Sequence, residues 1–569
     1  MTAMMTRRVS MSLLGALAGL ALYGLTELAQ TDLLPQRLLL AVFVLTGVFF
    51  GALLIMAGPL RLMSAALGAA GIAVLTTGLL MLASLRFANV DDMGQPHIIL
   101  AGLVLATVPM PFWIARALGR WRDYPLLFAE SWSIVVRYAI GWTFAAVVWA
   151  VIYLSDALLG IVGVSAIGDL LELGAMPFLI TGAILGLGLS VVQELQDYVS
   201  PYLLLRMLRL ILPVVVAVTL VFLVALPLQG VSGLFDGLSV ALVMLAMAGV
   251  GATLVTTAVD QDEAQATHSA VLIWSARGMA LLVPVLAGGG AWAVWLRIAQ
   301  HGWTPDRLFA AQVAALGLGY GALYALAVAR GAGWMARIRQ ANITMALALM
   351  VLAAVSLTPL LNAEAISARS HLARYVSGAL PPEQVDPGAL GRWGLAGAEA
   401  LASLTDRAKT PGNEALAARL AAPYDSPAPS ADLLAQVQAA LPLQPETATA
   451  TRDLFLAEFD VYGLQGLLQA CETVLPGGGK GCVMVVADLL PDAPGEEAVL
   501  AQWQGYGFAQ FEGLVQGRGR FDPVLRAASG TLPFGDEAAA LIRTWQAAPP
   551  AVEPARVNRL VGSGIMVLE

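Results

Sequence analysis

LLLAVFVLTGVFFGALLIMAGPL, residues 38–60, runs for 23 residues without one ionisable side chain. A helix rises about 1.5 Å per residue, so about 20 such residues cover the ~30 Å of a bilayer's hydrocarbon. Lipid offers the backbone no hydrogen-bond partner, which leaves helix as the state such a run adopts. The same test applied outward in both directions marks segments at 9–28, 62–85, 97–115, 138–155, 173–193, 210–230, 237–259, 278–296, 308–329 and 342–361. Their small residues, as in Gly182-Ala-Ile-Leu-Gly-Leu-Gly-Leu-Ser190 and Gly317-Leu-Gly-Tyr-Gly321, suit close contact between helices. The apolar stretch from Ala157 to Ile167 is too short to span and reads as a re-entrant or interfacial turn.

Composition agrees, with 58% hydrophobic and 12% charged residues, where a soluble domain carries about 25% charged. The charge divides near residue 361. Up to there the chain holds 17 Arg, no Lys and 16 acids; beyond it lie 14 basic and 23 acidic residues. The expected fold class is therefore an all-α polytopic transmembrane bundle of about 11 helices with a C-terminal soluble α+β domain. Its parts would be a helical membrane domain at 1–361, a Pro/Ala-rich helical connector at 362–450 and a soluble α+β periplasmic domain at 451–569. An acidic appendage speaks against nucleic acid or anionic lipid headgroups as its partner.

With the N-terminus placed in the cytoplasm, alternate loops put thirteen arginines inside: 7, 8, 61, 116, 120, 122, 137, 206, 209, 277, 330, 337 and 339. Four fall outside: 37, 86, 297 and 307. That asymmetry obeys the positive-inside rule and, with an odd number of spans, sends the C-terminal domain to the far side. Arg7-Arg8 before the first apolar run would suit a cleaved leader, but the length of the run and the spans after it favour a signal anchor. Cys471 and Cys482, the chain's two cysteines, both fall on the far side. Disulfides persist in oxidising compartments, and a bridge closing so short a loop would contribute about 2–4 kcal/mol. Two unrelated buried thiols are the alternative; shared placement on the oxidising side favours the bridge.

Tyr23-Gly-Leu-Thr-Glu27, Asp197-Tyr-Val-Ser-Pro-Tyr-Leu-Leu-Leu-Arg206, His301-Gly-Trp-Thr-Pro-Asp-Arg307 and Trp334-Met-Ala-Arg-Ile-Arg-Gln-Ala-Asn342 resemble bacterial membrane proteins of the domain of unknown function 4153 family. The resemblance covers the membrane region and the start of the tail. It implies this architecture and no reaction. Arg and Ala usage with almost no Lys also points to a GC-rich bacterial genome.

Ionisable groups near a bilayer are the default functional candidates. Glu27, Asp156, Asp236 and Asp260 fall at span ends, where they can reach interfacial water. No span carries a charge at its centre, which argues against an ion-coupled transporter with its midplane carboxylate or broken helix. On the cytoplasmic face Arg120-Trp-Arg-Asp-Tyr-Pro125 and Glu194-Leu-Gln-Asp-Tyr-Val-Ser-Pro201 have similar form; Asp123 and Asp197 could pair with Arg122 or Arg206, or bind a ligand. On the opposite face Asp91, Asp92, His97, His301, Asp306 and His371 are of the types that hold divalent metals, but their spacing matches no metal motif. Thr304-Pro305-Asp306 also reads as a helix start: cap, proline in the first turn, acid against the dipole. Paired acids outside many spans suggest a transferase using a lipid-linked donor by analogy, although such acids belong in the first external loop, where this chain has Asp32.

The tail shows helical patterns at 394–407, 413–421, 431–440 and 451–471, a strand at 483–487 and a helix at 496–504. Hairpins are expected at 508–514 turning at Gly517-Arg-Gly519, and at 557–568 turning near Gly562-Ser-Gly564. Gly479-Lys480 is no phosphate loop, because Val474 and Gly481 stand where that motif needs Gly and Ser/Thr. The acid-rich 488–497 reads as a solvated turn, since calcium loops alternate ligands more tightly. No cofactor fingerprint and no Ser/His or Cys/His arrangement is present. The expectation is a scaffold, sensor or envelope-maintenance protein whose partners are the bilayer and another envelope protein. A transporter or flippase and a lipid-linked transferase are the alternatives.

Overall fold

The computed structural model describes residues 2–30, 33–194, 201–229, 240–421, 431–457, 459, 461–489, 496–505, 508–514, 535–552, 557–559 and 566–568. The chain forms two compact units, Met1–Ala421 and Ala422–Glu569. The first is helical throughout its described regular structure: α1 (Thr2–Gln30), α2 (Gln36–Met56), α3 (Leu62–Ser84), α4 (Pro96–Thr107), α5 (Pro109–Ala117), α6 (Tyr124–Ile161), α7 (Ala166–Leu171), α8 (Ala175–Glu194), α9 (Pro201–Gln229), α10 (Val240–Val259), α11 (Ala270–His301), α12 (Pro305–Ala329), α13 (Trp334–Ser356), α14 (Ala363–Val376), α15 (Pro387–Arg392), α16 (Gly394–Ala408) and α17 (Glu414–Ala421). Among the described residues eleven segments are long and apolar enough to cross a membrane, α4 and α5 together making one of them. Each overlaps an expected span.

Two departures from expectation bear on the site described below. Helix α6 starts at Tyr124, well before 138, because Pro125 opens its first turn and no breaker follows until Ile161. The apolar residues after Ala157 thus extend the helix, and the turn is confined to Val162–Gly163, with Gly163 at φ +79°. The fourth span breaks between α4 and α5. Pro109 and Pro111 have no N–H to return to the carbonyls of Leu105 and Thr107, four residues earlier.

Small residues set the packing. A Cβ on Gly15 would lie 2.0 Å from the Gly182 carbonyl oxygen, and one on Gly19 would lie 2.0 Å from that of Phe178. Gly186 meets Met11 in the same way, so α1 and α8 touch backbone to backbone. Gly321 of α12 lies against the Pro284 ring of α11, where a Cβ would come within 2.6 Å.

The loops sort to two ends. At one, rich in arginine, Arg8 pairs with Glu194, Arg7 donates to the Gly58 carbonyl and Arg209 pairs with Asp260. At the opposite end Arg37 donates to the Phe87 carbonyl and Arg374 to those of Ala299 and Gln300. Helices α14–α17 form a layer on that opposite end around Val385, Leu390, Trp393, Leu404 and Leu416. The start of α16 docks there through Leu395 N–H to the Arg86 carbonyl at 2.8 Å. The expected connector at 362–450 is therefore divided: its first part is built into the helical unit up to Ala421, and the rest belongs to the second unit.

The second unit holds α18 (Ala431–Ala440), β1 (Leu443–Gln444), α19 (Thr449–Ala457), α20 (Val461–Glu472), β2 (Cys482–Ala487), β3 (Glu497–Gly505), β4 (Phe508–Leu514), α21 (Asp536–Ala547), β5 (Val557–Arg559) and β6 (Met566–Leu568). The sheet order is β1-β2-β3-β4, parallel at the first pair and antiparallel after it; β5 and β6 form a separate antiparallel pair. Alternation along β2 sorts its side chains. Cys482, Met484 and Val486 face α18–α20, while Val483 and Val485 face α21. Residues 496–504 are therefore a central strand, not the expected helix. Their Ala, Leu and Gln favour helix in isolation, but Leu500 and Trp503 are buried in cores on opposite faces of the sheet. β4 pairs with this preceding strand; the expected turns at Gly517-Arg-Gly519 and Gly562-Ser-Gly564 lie outside the described residues. Cys471 and Cys482 form a disulfide between α20 and β2. Lys480 donates to the Ala440 carbonyl at 2.6 Å, capping α18. The glycines beside it, 477 to 479, all take positive φ in the turn.

Candidate functional site

A concave site in the helical unit follows from the break in the fourth span. A cavity of about 520 Å³ lies between α4/α5, α6, α10, α12 and α13, with Thr107, Val108, Pro111 and Phe112 forming the wall at the proline break. Tyr124, Phe128, Trp132 and Tyr320 complete five aromatic rings, and no ionisable acid or base other than tyrosine lines it. Its polar floor centres on Asn342. The Asn342 amide donates to Tyr124 Oη at 2.9 Å and to Thr256 Oγ1 at 3.3 Å, and its carbonyl accepts from the Tyr324 hydroxyl. Thr256 and Tyr324 are 2.9 Å apart. A neutral network of this kind in an apolar interior stabilises one arrangement when its members are satisfied.

One turn away lies an ionic knot at the arginine-rich end. Asp260, 1% exposed, takes φ +53° and pairs with Arg209. Arg339 donates to the carbonyls of Val259 at 2.8 Å and Asp260 at 3.2 Å, and pairs with Glu263 at 3.1 Å. Asp260 is thus sealed by arginines instead of reaching interfacial water. A Cβ makes the left-handed backbone costly, and the Asp260 side chain offsets part of that by accepting from the next N–H, of Gln261, at 2.7 Å.

At the opposite end a second ionic cluster joins three elements. Arg86 reaches the carbonyls of Ser356 and Thr358 at 2.7 and 2.8 Å and Glu364 at 3.3 Å, and His97 Nε2 lies 2.9 Å from the other Glu364 oxygen. Burial pushes the Glu364 carboxyl up. The His97 hydrogen bond, a backbone hydrogen bond at the helix start and the charges nearby outweigh it, so the group sits below its ordinary range. Burial lowers the Arg86 guanidinium, with Glu364 offsetting part of the effect.

The sequence candidates do not gather into one site. Asp91 and Asp92 are exposed on a short turn before α4, and His301 and Asp306 are exposed at the end of α11 and the start of α12. Of the opposite-face group His97 is buried, in the Arg86–Glu364 cluster. Among the described residues no three His, Cys, Asp or Glu side chains converge as a metal ion requires. Thr304 caps α12 through the Arg307 N–H at 3.3 Å, as its sequence suggests. Asp123 pairs with Arg120 at 3.3 Å instead of Arg122, which lies over the Trp121 ring at 4.2 Å. Arg206 is exposed, and Asp197 lies outside the described residues. His371 packs against Trp393 at 4.9 Å; burial, then Arg307 and Arg374, push it below the ordinary histidine range.

A search for ionisable residues passed over the neutral ones that build the cavity. Two signals were available: paired prolines in the middle of an apolar run, and an asparagine at the head of another. Comparison of the chain with protein families, curated proteins and solved structures finds no match to any of them.

Proposed function

We propose that this chain is a multi-pass bacterial inner-membrane protein whose helical bundle binds a small amphipathic molecule in the cavity beside Asn342, as a transporter or flippase does. The cavity carries the reading. It is large enough for a ligand of modest size, mostly apolar, and converges on a few polar groups, which is the ordinary anatomy of a small-molecule site. The helix break beside it supplies what the spans lack in charge, a place where backbone polarity meets a cavity. This moves transport ahead of scaffolding.

The proposed topology keeps the N-terminus in the cytoplasm and the second unit in the periplasm. The arginine asymmetry supports it, and so does the disulfide in the second unit. The resemblance to the domain of unknown function 4153 family agrees with a bacterial membrane protein. A periplasmic interaction role for the second unit, as scaffold or sensor, is the second reading, favoured by its own two-sided core. A lipid-linked transferase has less support, because Asp91 and Asp92 are not gathered with His301 or Asp306.

Native mass spectrometry of the protein purified from its membranes tests the binding role. Ala346 lines the cavity and is half-buried; Ala346→Trp should abolish small-molecule adducts retained by the parent chain. Identical adducts on both would sink the reading. For topology, a periplasm-dependent reporter fused after Glu569 should be active, and free thiol labelling of Cys471 in intact cells would count against the placement.

A further inference from the structure

The hydrogen-bond inventory of the cavity narrows its ligand. Ser131, Thr107 and Thr253 each return their hydroxyl proton to a carbonyl four residues earlier, those of Leu127, Leu103 and Gly249. What each has left to offer is an acceptor lone pair. The Thr107 carbonyl faces a residue with no N–H, Pro111, and adds another acceptor on the same wall. On the floor the Tyr324 proton goes to Asn342, and both Asn342 amide protons go to Tyr124 and Thr256. The Tyr124 hydroxyl accepts from Asn342 and keeps its own proton; with the Tyr320 hydroxyl and the Trp132 indole N–H it makes up the uncommitted donors among the described lining residues.

Against those three donors stand the more numerous lone pairs of the Ser131, Thr107 and Thr253 hydroxyls and the Thr107 carbonyl, and five aromatic rings, whose faces carry negative quadrupole, line the cavity. No Arg, Lys or His lines it to hold an anion. A carboxylate or phosphate head would find three neutral donors and no cation, set among lone pairs and π systems. An alcohol head brings one proton to several acceptors. A protonated amine brings as many as three, and it alone among these heads is also drawn to the rings.

We propose that the cavity takes an amphipathic amine, its ammonium head among Ser131, Thr107 and the Phe128 and Trp132 rings, and its apolar body along Val108, Ile134 and Val135. This rests on the binding role proposed above and names the class of molecule. The test uses full-length protein in neutral-lipid nanodiscs and three radiolabelled probes that share a phenylbutyl body: 4-phenylbutylamine, 4-phenylbutan-1-ol and 4-phenylbutanoate. Binding is measured against empty nanodiscs at a pH where the amine is charged. The amine should bind at least tenfold more tightly than the alcohol, and the carboxylate should not bind above background. Phe128→Leu with Trp132→Leu should weaken the amine about tenfold and the alcohol little. Equal binding of amine and alcohol, both blocked by Ala346→Trp, would overturn the amine and leave the cavity as a site for neutral molecules. Tighter binding of the carboxylate would overturn the amine as well. No binding of any probe above empty nanodiscs, or binding unaffected by Ala346→Trp, would overturn both readings.

Discussion

Two buried polar clusters in the helical unit differ in what they leave over. Around Glu364 the acceptors and donors meet one another: two carboxylate oxygens take Arg86 Nη1 and His97, and Arg86 Nη2 donates to the Ser356 and Thr358 carbonyls at the end of α13. Around Asn342 the groups are neutral, and beside them hydroxyl lone pairs and the protons of Tyr124 and Tyr320 remain available to a cavity. A saturated cluster holds helices in place. An unsaturated one lining a cavity offers hydrogen-bonding groups to a ligand. Charge alone, the usual guide to function inside a membrane, would rank these two in the opposite order from their uncommitted groups.

Glu364→Ala should show the larger structural effect. Removing one partner of a buried pair leaves an uncompensated charge, at a cost of roughly 3–5 kcal/mol. Thermal unfolding in detergent should record it, with ligand binding retained at temperatures where the fold survives. An unchanged melting temperature would break the contrast. The pH dependence sharpens it. Because the folded Glu364 carboxyl is held below its ordinary range, its contribution is present above that range and is lost as pH falls through the lowered value. The melting temperature should therefore fall in acid below about pH 4, and less so in Glu364→Gln. Asn342→Leu should cost about 1–3 kcal/mol, because it leaves neighbouring hydroxyls short of partners, yet it should remove most of the probe binding. Smallest in stability is Tyr124→Phe, at about 1 kcal/mol, with a measurable loss of binding. If instead Asn342→Leu and Tyr124→Phe changed stability alone, the Asn342 cluster would be a second structural lock.

The eleven long apolar helices were legible because one local property, about 20 apolar residues in a row, marks a segment able to cross hydrocarbon. The start of α12 was legible too, since a cap, a proline and an acid act locally. What escaped depended on neighbours far along the chain. Residues 497–505 become a strand because cores lie on both of their faces. His97 was visible as a candidate, but its partner Glu364 lies 267 residues away and inside what read as a connector. The cavity residues escaped for a different reason: threonine, asparagine and tyrosine barely change the hydropathy of a span, and their meaning comes from meeting.

The interlocked glycines of α1 and α8 also set a clock. Ser12 donates to the Ala183 carbonyl across 171 residues of chain. At ribosomal rates of about 5–20 residues per second, roughly 10–30 s of synthesis separates the two contact faces. Through that interval the newborn first helix has no glycine-lined groove to enter. Early release of the nascent chain, before its eighth helix is made, would leave that face open to whatever neighbour diffuses past.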